Sequence, residues 1–464
     1  MTFRACVLAW ALFVLGALSA PASAQVSPSE DPLITTLQTQ LQKAPTMEKL
    51  PNGITLLHKM TESNDLVSLA LVLEPGALFD PEDKPGLTGL MMRLLTRGTE
   101  KRSAIELSEY LEENGIRLSA QPGYDFLSFS LQSVKQDFPQ GMAILEEVLR
   151  QPTFPVRELD RERQRVLAEI RMREDRPSSS AMRRLREAIF SPSRYAFPLE
   201  GTAESLPTLT QEDLAGTWKE RLRPERMTIS VVGNIELAEL KALVERHFGD
   251  LPSVDRSKSR HGISEYGTAK LEKVSREVEQ SFIAMGVRTC SAVHEDAPAV
   301  DVATAILGGG MSSRLFSRLR DEQSLAYSVG AQNGSHLGVG YLTLFIGTSP
   351  EKACQSLQGL WAEAEALKQE PVSEEELERA KNYLLGGYLR GHETNASQAW
   401  YLARWHVLEL GTEYDSLYVE RVRAVTSRDV MRVANKYLVK PATVIIHPNF
   451  DQLTCLNDPN LLLN

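Results

Sequence analysis

The chain has 464 residues, 42% of them hydrophobic and 24% charged, with a formal net charge of −10. This is ordinary globular composition, and the length suffices for two or more domains with sizeable cores. The acidity argues against nucleic acid and against an anionic membrane surface as partners.

The first residues read as a secretory signal. Arg4 supplies the positive start, Cys6 to Leu18 the apolar run, and Ala22-Ser-Ala24 a small-residue cleavage site before Gln25. The run is too short for a comfortable span, and no later stretch reaches about 20 apolar residues. No cysteine follows the run in the position of a lipid anchor. Residues 1–24 are therefore expected to be removed, leaving a protein of the bacterial periplasm or a secreted one, with no membrane anchor. Only Cys290, Cys354 and Cys455 then remain, widely spaced and odd in number. They are expected to be single thiols, not a disulfide framework or a zinc knuckle.

Residues 25–46 form a polar leader with some helical character. Glu48–His58 reads as a strand entered through Asn52-Gly53, and Val67–Leu73 as a second strand ended by Pro75-Gly76. Between Gly86 and Thr99, Leu87, Leu90, Met91, Leu94 and Leu95 mark one face of an amphipathic helix, with Pro85 before it and Gly98 after it. Ser103 and Glu106 make a capping box for a helix to Asn114. Ile116–Gln121 and Phe126–Leu131 alternate as a hairpin, Asp137–Arg150 is helical, and Val156–Asp175 is a long charged helix. A loop at Tyr195–Leu206 leads to a helix at Thr210–Arg221, a strand at Met227–Val232 and a helix at Ile235–Phe248. Ser312-Ser313 opens a helix through Arg320, and Leu325–Val329 starts a strand.

The second half repeats the first. Thr210, Asp213 and Leu222 recur as Thr426, Asp429 and Leu438 at a spacing of 216, and Lys219 recurs as Lys436 at 217. Pro155 recurs as Pro371 at 216, and Leu159, Arg161 and Leu167 recur as Leu377, Arg379 and Leu385 at 218. So long a period is a duplicated domain and not a solenoid repeat. The expected organisation is an N-terminal domain over 47–250, a linker over 251–270, a C-terminal domain over 271–450 and a tail over 451–464. The fold class is α+β, a mixed sheet with helices on one side, built twice.

Several segments together resemble the pitrilysin/insulinase (inverzincin) peptidases. They are Pro85-Gly-Leu87 ahead of the first helix, Arg97-Gly-Thr-Glu-Lys-Arg-Ser-Ala104 after it, the charged helix at 156–175, and Leu307-Gly-Gly-Gly-Met-Ser-Ser-Arg-Leu-Phe316 with Leu325-Ala-Tyr327. The resemblance runs from about Met47 to Asn449 and implies two homologous halves closing as a clam-shell. In that family the first helix carries H-x-x-E-H, two zinc ligands and the glutamate that activates water. Here those positions read Gly89-Leu-Met-Met92-Arg93, without either histidine or the base. The third ligand position falls on Glu169, with 75 residues between it and Arg93, and the family's second acidic position on Glu162, two turns earlier on the same face. One carboxylate cannot hold catalytic zinc, which needs about three protein ligands. The sequence therefore predicts an Arg93–Glu169 ion pair in place of the metal, with Glu162 nearby. By the same resemblance, Arg320 and Tyr327 hold the positions of a substrate-binding pair that reaches across the cleft.

Loss of the zinc ligands with retention of Arg320 and Tyr327 is the pattern of a metal-free partner in a two-chain zinc peptidase. That role implies a homologous H-x-x-E-H subunit, peptide substrates, and zinc only in the partner chain. A homodimer is possible as well. The alternative is a non-enzymatic structural or peptide-binding protein with the same fold. An autonomous hydrolase finds little support: there is no G-x-S-x-G and no Cys/His pairing of recognisable spacing.

Overall fold

The computed structural model describes residues 44–253 and 270–457, so residues 1–24 and most of the leader and linker lie outside the described residues. The first half runs β1 (Thr46–Lys49), β2 (Thr55–Met60), β3 (Leu66–Leu73), α1 (Leu87–Leu94), α2 (Ala104–Glu113), β4 (Arg117–Gln121), β5 (Leu127–Val134), α3 (Phe138–Arg150), α4 (Val156–Asp175), α5 (Pro177–Phe190), α6 (Gln211–Arg221), β6 (Met227–Gly233) and α7 (Leu237–Phe248). The second runs β7 (Lys270–Ser275), β8 (Ser281–Thr289), α8 (Ala297–Gly308), a π-helical segment (Leu315–Glu322), β9 (Ser328–Ser335), β10 (Gly340–Thr348), α9 (Ala353–Gln369), α10 (Glu374–Gly391), α11 (Asn395–Val407), α12 (Tyr414–Ala424), α13 (Ser427–Tyr437) and β11 (Ala442–His447).

The duplication is carried into topology. One sheet has the order β1-β2-β6-β3-β5-β4, the other β7-β11-β8-β10-β9. Without β1 the two orders coincide, strand for strand. The pairs β2/β6 and β7/β11 are parallel and the others antiparallel. Both α6 and α13 open with a complete capping box, Thr210 with Asp213 and Thr426 with Asp429, which satisfies two free backbone N–H groups at each start. The expected strand at Glu48–His58 is instead a hairpin. Leu50–Gly53 turns the chain, and β1 pairs antiparallel with β2.

Helices of each half cover one sheet face, and the other face is covered by a single helix exchanged from the opposite half. Along β3, Val67, Leu69, Leu71 and Leu73 face the helices of their own half. Ala70 and Val72 face the other way, with Leu57 and Val232, onto Leu402, Ala403 and Val407 of α11. Reciprocally, Ala181, Leu185 and Ile189 of α5 pack on Phe282 and Ala284 of β8 and Val444 and Ile446 of β11. Each fully buried leucine or isoleucine at these contacts contributes about 1.5–3 kcal/mol to holding the two halves together. Pro177 sets the exchange up. The residue before a proline is driven out of the helical region, and Arg176 is extended (φ −90°, ψ 117°), so α4 ends and α5 starts in a new direction.

A pair of buried aspartates anchors equivalent helices. Asp80 accepts from the Thr88 backbone N–H at 3.0 Å and from the Arg221 guanidinium at 3.1 Å, tying α1 to α6. Asp296 accepts from Arg432, from Lys436 Nζ at 2.7 Å and from the Tyr437 hydroxyl at 2.8 Å, tying α8 to α13. Burial alone raises the Asp296 carboxyl, but these three donors hold it far below the usual carboxylate range. Asp80 also has three donors, the Thr88 N–H and hydroxyl and Arg221, but here burial outweighs them and raises the carboxyl above its ordinary value.

The cysteine expectation is corrected. Cys354 at the start of α9 and Cys455 form a disulfide, with Cα atoms 5.6 Å apart, and Cys290 is a buried free thiol. The pairing spans 101 residues, which carries no spacing signal. It also fastens Cys455, in the expected tail, to α9 of the second half. Burial pushes the Cys290 thiol up to about 11, which leaves it protonated and unreactive.

Candidate functional site: a metal position filled by arginine

Helix α1 lies between α4 and α6 and is buried along nearly its whole length. Gly86 caps it in the left-handed region (φ 88°), where a β-carbon is strained. The chain at Leu199–Gly201 lies directly on this start. A β-carbon on Gly89 would stand 2.0 Å from the Leu199 carbonyl oxygen, and one on Gly86 2.4 Å from Gly201 Cα. No side chain fits at position 89 while this loop stays in place. Met92 is fully buried in the core of the first half. The place of the family's general base is therefore apolar.

Arg93 reaches from α1 to α4 as the sequence predicts. Its guanidinium holds Glu169 through two contacts, Nη2–Oε2 at 2.8 Å and Nη1–Oε1 at 3.4 Å, and lies 3.9 Å from Glu162. Glu162 and Glu169 are seven residues apart on α4, hence on one face. Glu162 is almost wholly buried, its side chain 5% exposed, against 23% for Glu169 and 30% for Arg93. Arg97 and Arg165 each stand 3.5 Å from Glu162, and Arg165 also lies 3.3 Å from Glu169. Arg173 joins Glu169 to Glu200, in the loop that covers Gly89. Guanidinium groups thus supply the positive charge that two close carboxylates require.

These residues do not fit the family's zinc. Position 89 has no room for an imidazole, position 93 holds a cation, and only two carboxylates remain as donors. Among the described residues, no group of three or more His, Cys, Asp or Glu side chains is placed to bind a metal.

Arg320 and Tyr327 are both at the surface of the second half. Arg320 ends a turn of the π-helical segment, exposed, with its guanidinium 4.7 Å from the centre of the Phe316 ring. The helix expected from Ser312 begins at Leu315 and is π-helical, a form often found at functional positions. Ser324, between the two, is held at φ 51°, and Tyr327 is 61% exposed, its backbone N–H donating to Gly347 at 2.9 Å. Among the described residues no hydrogen bond or ion pair joins either to the Arg93 cluster. Arg186 on α5 carries no signal in the sequence. It stacks on Tyr124, Phe190 and Tyr341, at 5.3, 5.8 and 5.7 Å, and so is held by rings from both halves. It borders a cavity of about 370 Å³ between the halves, lined also by Leu199, Gln332 and Thr343. The Leu199 segment that closes the metal position is thus also a wall of the cleft.

Fold and cluster define a duplicated peptidase-like scaffold whose metal position is occupied by an arginine. Residues 55–203 match the family described as Insulinase (Peptidase family M16), and residues 208–384 match the Peptidase M16 inactive domain. Together the two matches span most of the chain, which belongs to peptidase family M16. An uncharacterized zinc protease of Mycobacterium tuberculosis is 28% identical over 364 residues, 78% of this chain and 83% of the relative. The uncharacterized zinc protease YmxG of Bacillus subtilis is 26% identical over 347 residues, 75% and 84% of the two. Among solved structures, a peptidase M16 inactive domain from Pseudomonas fluorescens superposes with a TM-score of 0.81 at 21% identity, covering 87% of this chain and 98% of that one. A protease from Helicobacter pylori gives 0.79 at 20% identity, covering 88% and 100%.

Proposed function

We propose that the chain is the metal-free subunit of a two-chain zinc peptidase, lending half of the peptide cleft to a homologous H-x-x-E-H subunit. The observation that carries this reading is the filled metal position. Leu199 covers Gly89 and Arg93 grips Glu169, while the cavity between the halves stays open. A chain that has stabilised itself without zinc yet keeps an open cleft is suited to holding a peptide for another subunit to cut. In this role Arg320 and Tyr327 contact the substrate backbone, guanidinium and phenol both being donors to a carbonyl oxygen. Neither residue is tied to another side chain by a hydrogen bond or ion pair among the described residues, so their donors are available. The working compartment is the periplasm or the exterior. The Cys354–Cys455 disulfide supports that placement, since such bonds persist in oxidising compartments. Co-expression with an H-x-x-E-H relative from the same source, followed by purification through a tag on this chain, tests the proposal. A stoichiometric, zinc-bearing, peptide-cleaving complex is expected. Recovery of this chain alone, with the relative fully active alone, contradicts it.

A further inference from the structure

A second cavity, of about 280 Å³, lies within the second half, away from the Arg93 cluster, among β9, α8, α10, α11 and α12. Its walls are rich in rings, chiefly Tyr401, Trp405, Tyr414 and Tyr418. Two charged groups face it as well, Arg404 of α11 and Asp301 of α8. The rings are fixed from behind. The Trp405 indole N–H donates to Asp415 at 2.7 Å, Trp405 packs on Tyr414 at 4.6 Å between centres, and Tyr418 stacks on Tyr388 at 4.7 Å. A site held this way is organised before any ligand arrives.

Arg404, half-buried, is the group whose donors are not engaged by a side chain. A guanidinium has five N–H donors and no acceptor, and when buried it is ordinarily paired with a carboxylate. Among the described residues Arg404 makes no hydrogen bond or ion pair. Its contacts are with the faces of Trp405 at 4.9 Å and Trp400 at 5.4 Å. Burial lowers its pKa, against the opposing pull of Asp125 and the nearby tyrosines. Asp301 accepts from Asn333 and from the Tyr418 hydroxyl, one bond at each oxygen, which leaves each oxygen a further lone pair. The cavity volume is near the low end of the roughly 300–1,000 Å³ typical of ligand sites.

We propose that this cavity is a ligand site for a small carboxylate of amino-acid size with an aromatic or apolar body. The carboxylate sits on the Arg404 guanidinium in a planar two-point contact, and the body lies against Trp405, Tyr401 and Tyr414. Asp301 is placed to receive an ammonium when the ligand carries one. Free amino acids and simple monocarboxylates share the required carboxylate, and the two are separated by the probes below.

Isothermal titration of the mature chain with 3-phenylpropionate, L-phenylalanine and phenethylamine tests the site. The two carboxylates bind, with dissociation constants of about 10 μM to 1 mM, and the amine, which lacks the carboxylate, does not. Tighter binding of phenylalanine than of phenylpropionate assigns the ammonium to Asp301 and an amino acid as the natural class; the reverse order assigns a monocarboxylate. Arg404→Met weakens both carboxylates at least tenfold, while the methionine chain keeps apolar packing on Trp400 and Trp405. Absence of carboxylate binding at about 10 mM, equal binding of the amine, or unchanged affinity in the variant overturns the proposal. If Arg404→Met fails to fold, the comparison of the three probes on the wild-type chain decides alone.

Discussion

Replacing Arg93 by alanine tests whether a guanidinium has taken over the structural work of the metal. Breaking a fully buried ion pair costs about 3–5 kcal/mol, and an exposed one about 0.2–1. This pair lies between those limits. Arg93 and Glu169 keep 30% and 23% of their side-chain surface, and Glu162 only 5%. The carboxylates are not left bare, because Arg97 stays 3.5 Å from Glu162 and Arg165 stays 3.5 and 3.3 Å from Glu162 and Glu169. Arg93→Ala should therefore destabilise by about 1–2 kcal/mol, below the buried-pair limit because Arg97, Arg165 and Arg173 remain beside the carboxylates. Urea unfolding of wild type, Arg93→Ala, Glu169→Gln and the double variant gives the coupling. Most of the loss should disappear when Glu169 is already neutral. A coupling energy below about 0.3 kcal/mol, within the additivity error of independent sites, would refute the claim that Arg93 is held by Glu169.

Restoring the family motif with Gly89→His, Met92→Glu and Arg93→His should give neither tight zinc nor a stable protein. The new β-carbon at 89 meets the Leu199 carbonyl oxygen at 2.0 Å, and overpacking of this kind costs about 1–3 kcal/mol or more. Elemental analysis and thermal unfolding check it, and one zinc per chain at unchanged stability would contradict it. Asp296 has a depressed pKa, so its contribution is complete above the unfolded value of about 4 and is lost as pH falls below it. Asp296→Asn should cost about 2 kcal/mol at pH 7 and flatten the acid side of the stability curve, which a series of urea titrations from pH 7 to about pH 3 would reveal. Reduction of the Cys354–Cys455 bond, or Cys354→Ser, should cost about 2–4 kcal/mol, and dithiothreitol should then leave the serine variant's unfolding midpoint unmoved.

Local signals in the sequence were faithful where their cause was local. The charged helix spans Val156–Asp175 as its pattern predicts, the capping box expected at Ser103 forms, and further boxes stand at Thr210 and Thr426. The Arg93–Glu169 pair was legible through the family resemblance, which sets both positions at one metal site where an arginine here faces a carboxylate. What stayed hidden depends on distant segments meeting. The exchange of α5 and α11 between sheets has no trace beyond two faces of apolar residues on β3. The contact of Leu199 with Gly89 is written only in Gly86 and Gly201, which look like ordinary turn glycines, and in Gly89 inside the helix. The disulfide joins residues 101 apart, and Arg404 reads as one more charge on an amphipathic helix until its missing partner is seen. The π-helical turn at 315–322 has the apolar spacing of an α-helix and differs only in its backbone hydrogen bonds.

The most direct test of the partner role is the peptidase rate of the reconstituted pair, with this chain either wild type or carrying Arg320→Ala and Tyr327→Phe. If the two side chains hold the substrate carbonyl, the double variant should still assemble with its partner and should lose activity, by up to roughly 10²–10³-fold if they also stabilise the oxyanion. Full activity of an intact pair carrying both substitutions would contradict the cleft role assigned to this chain.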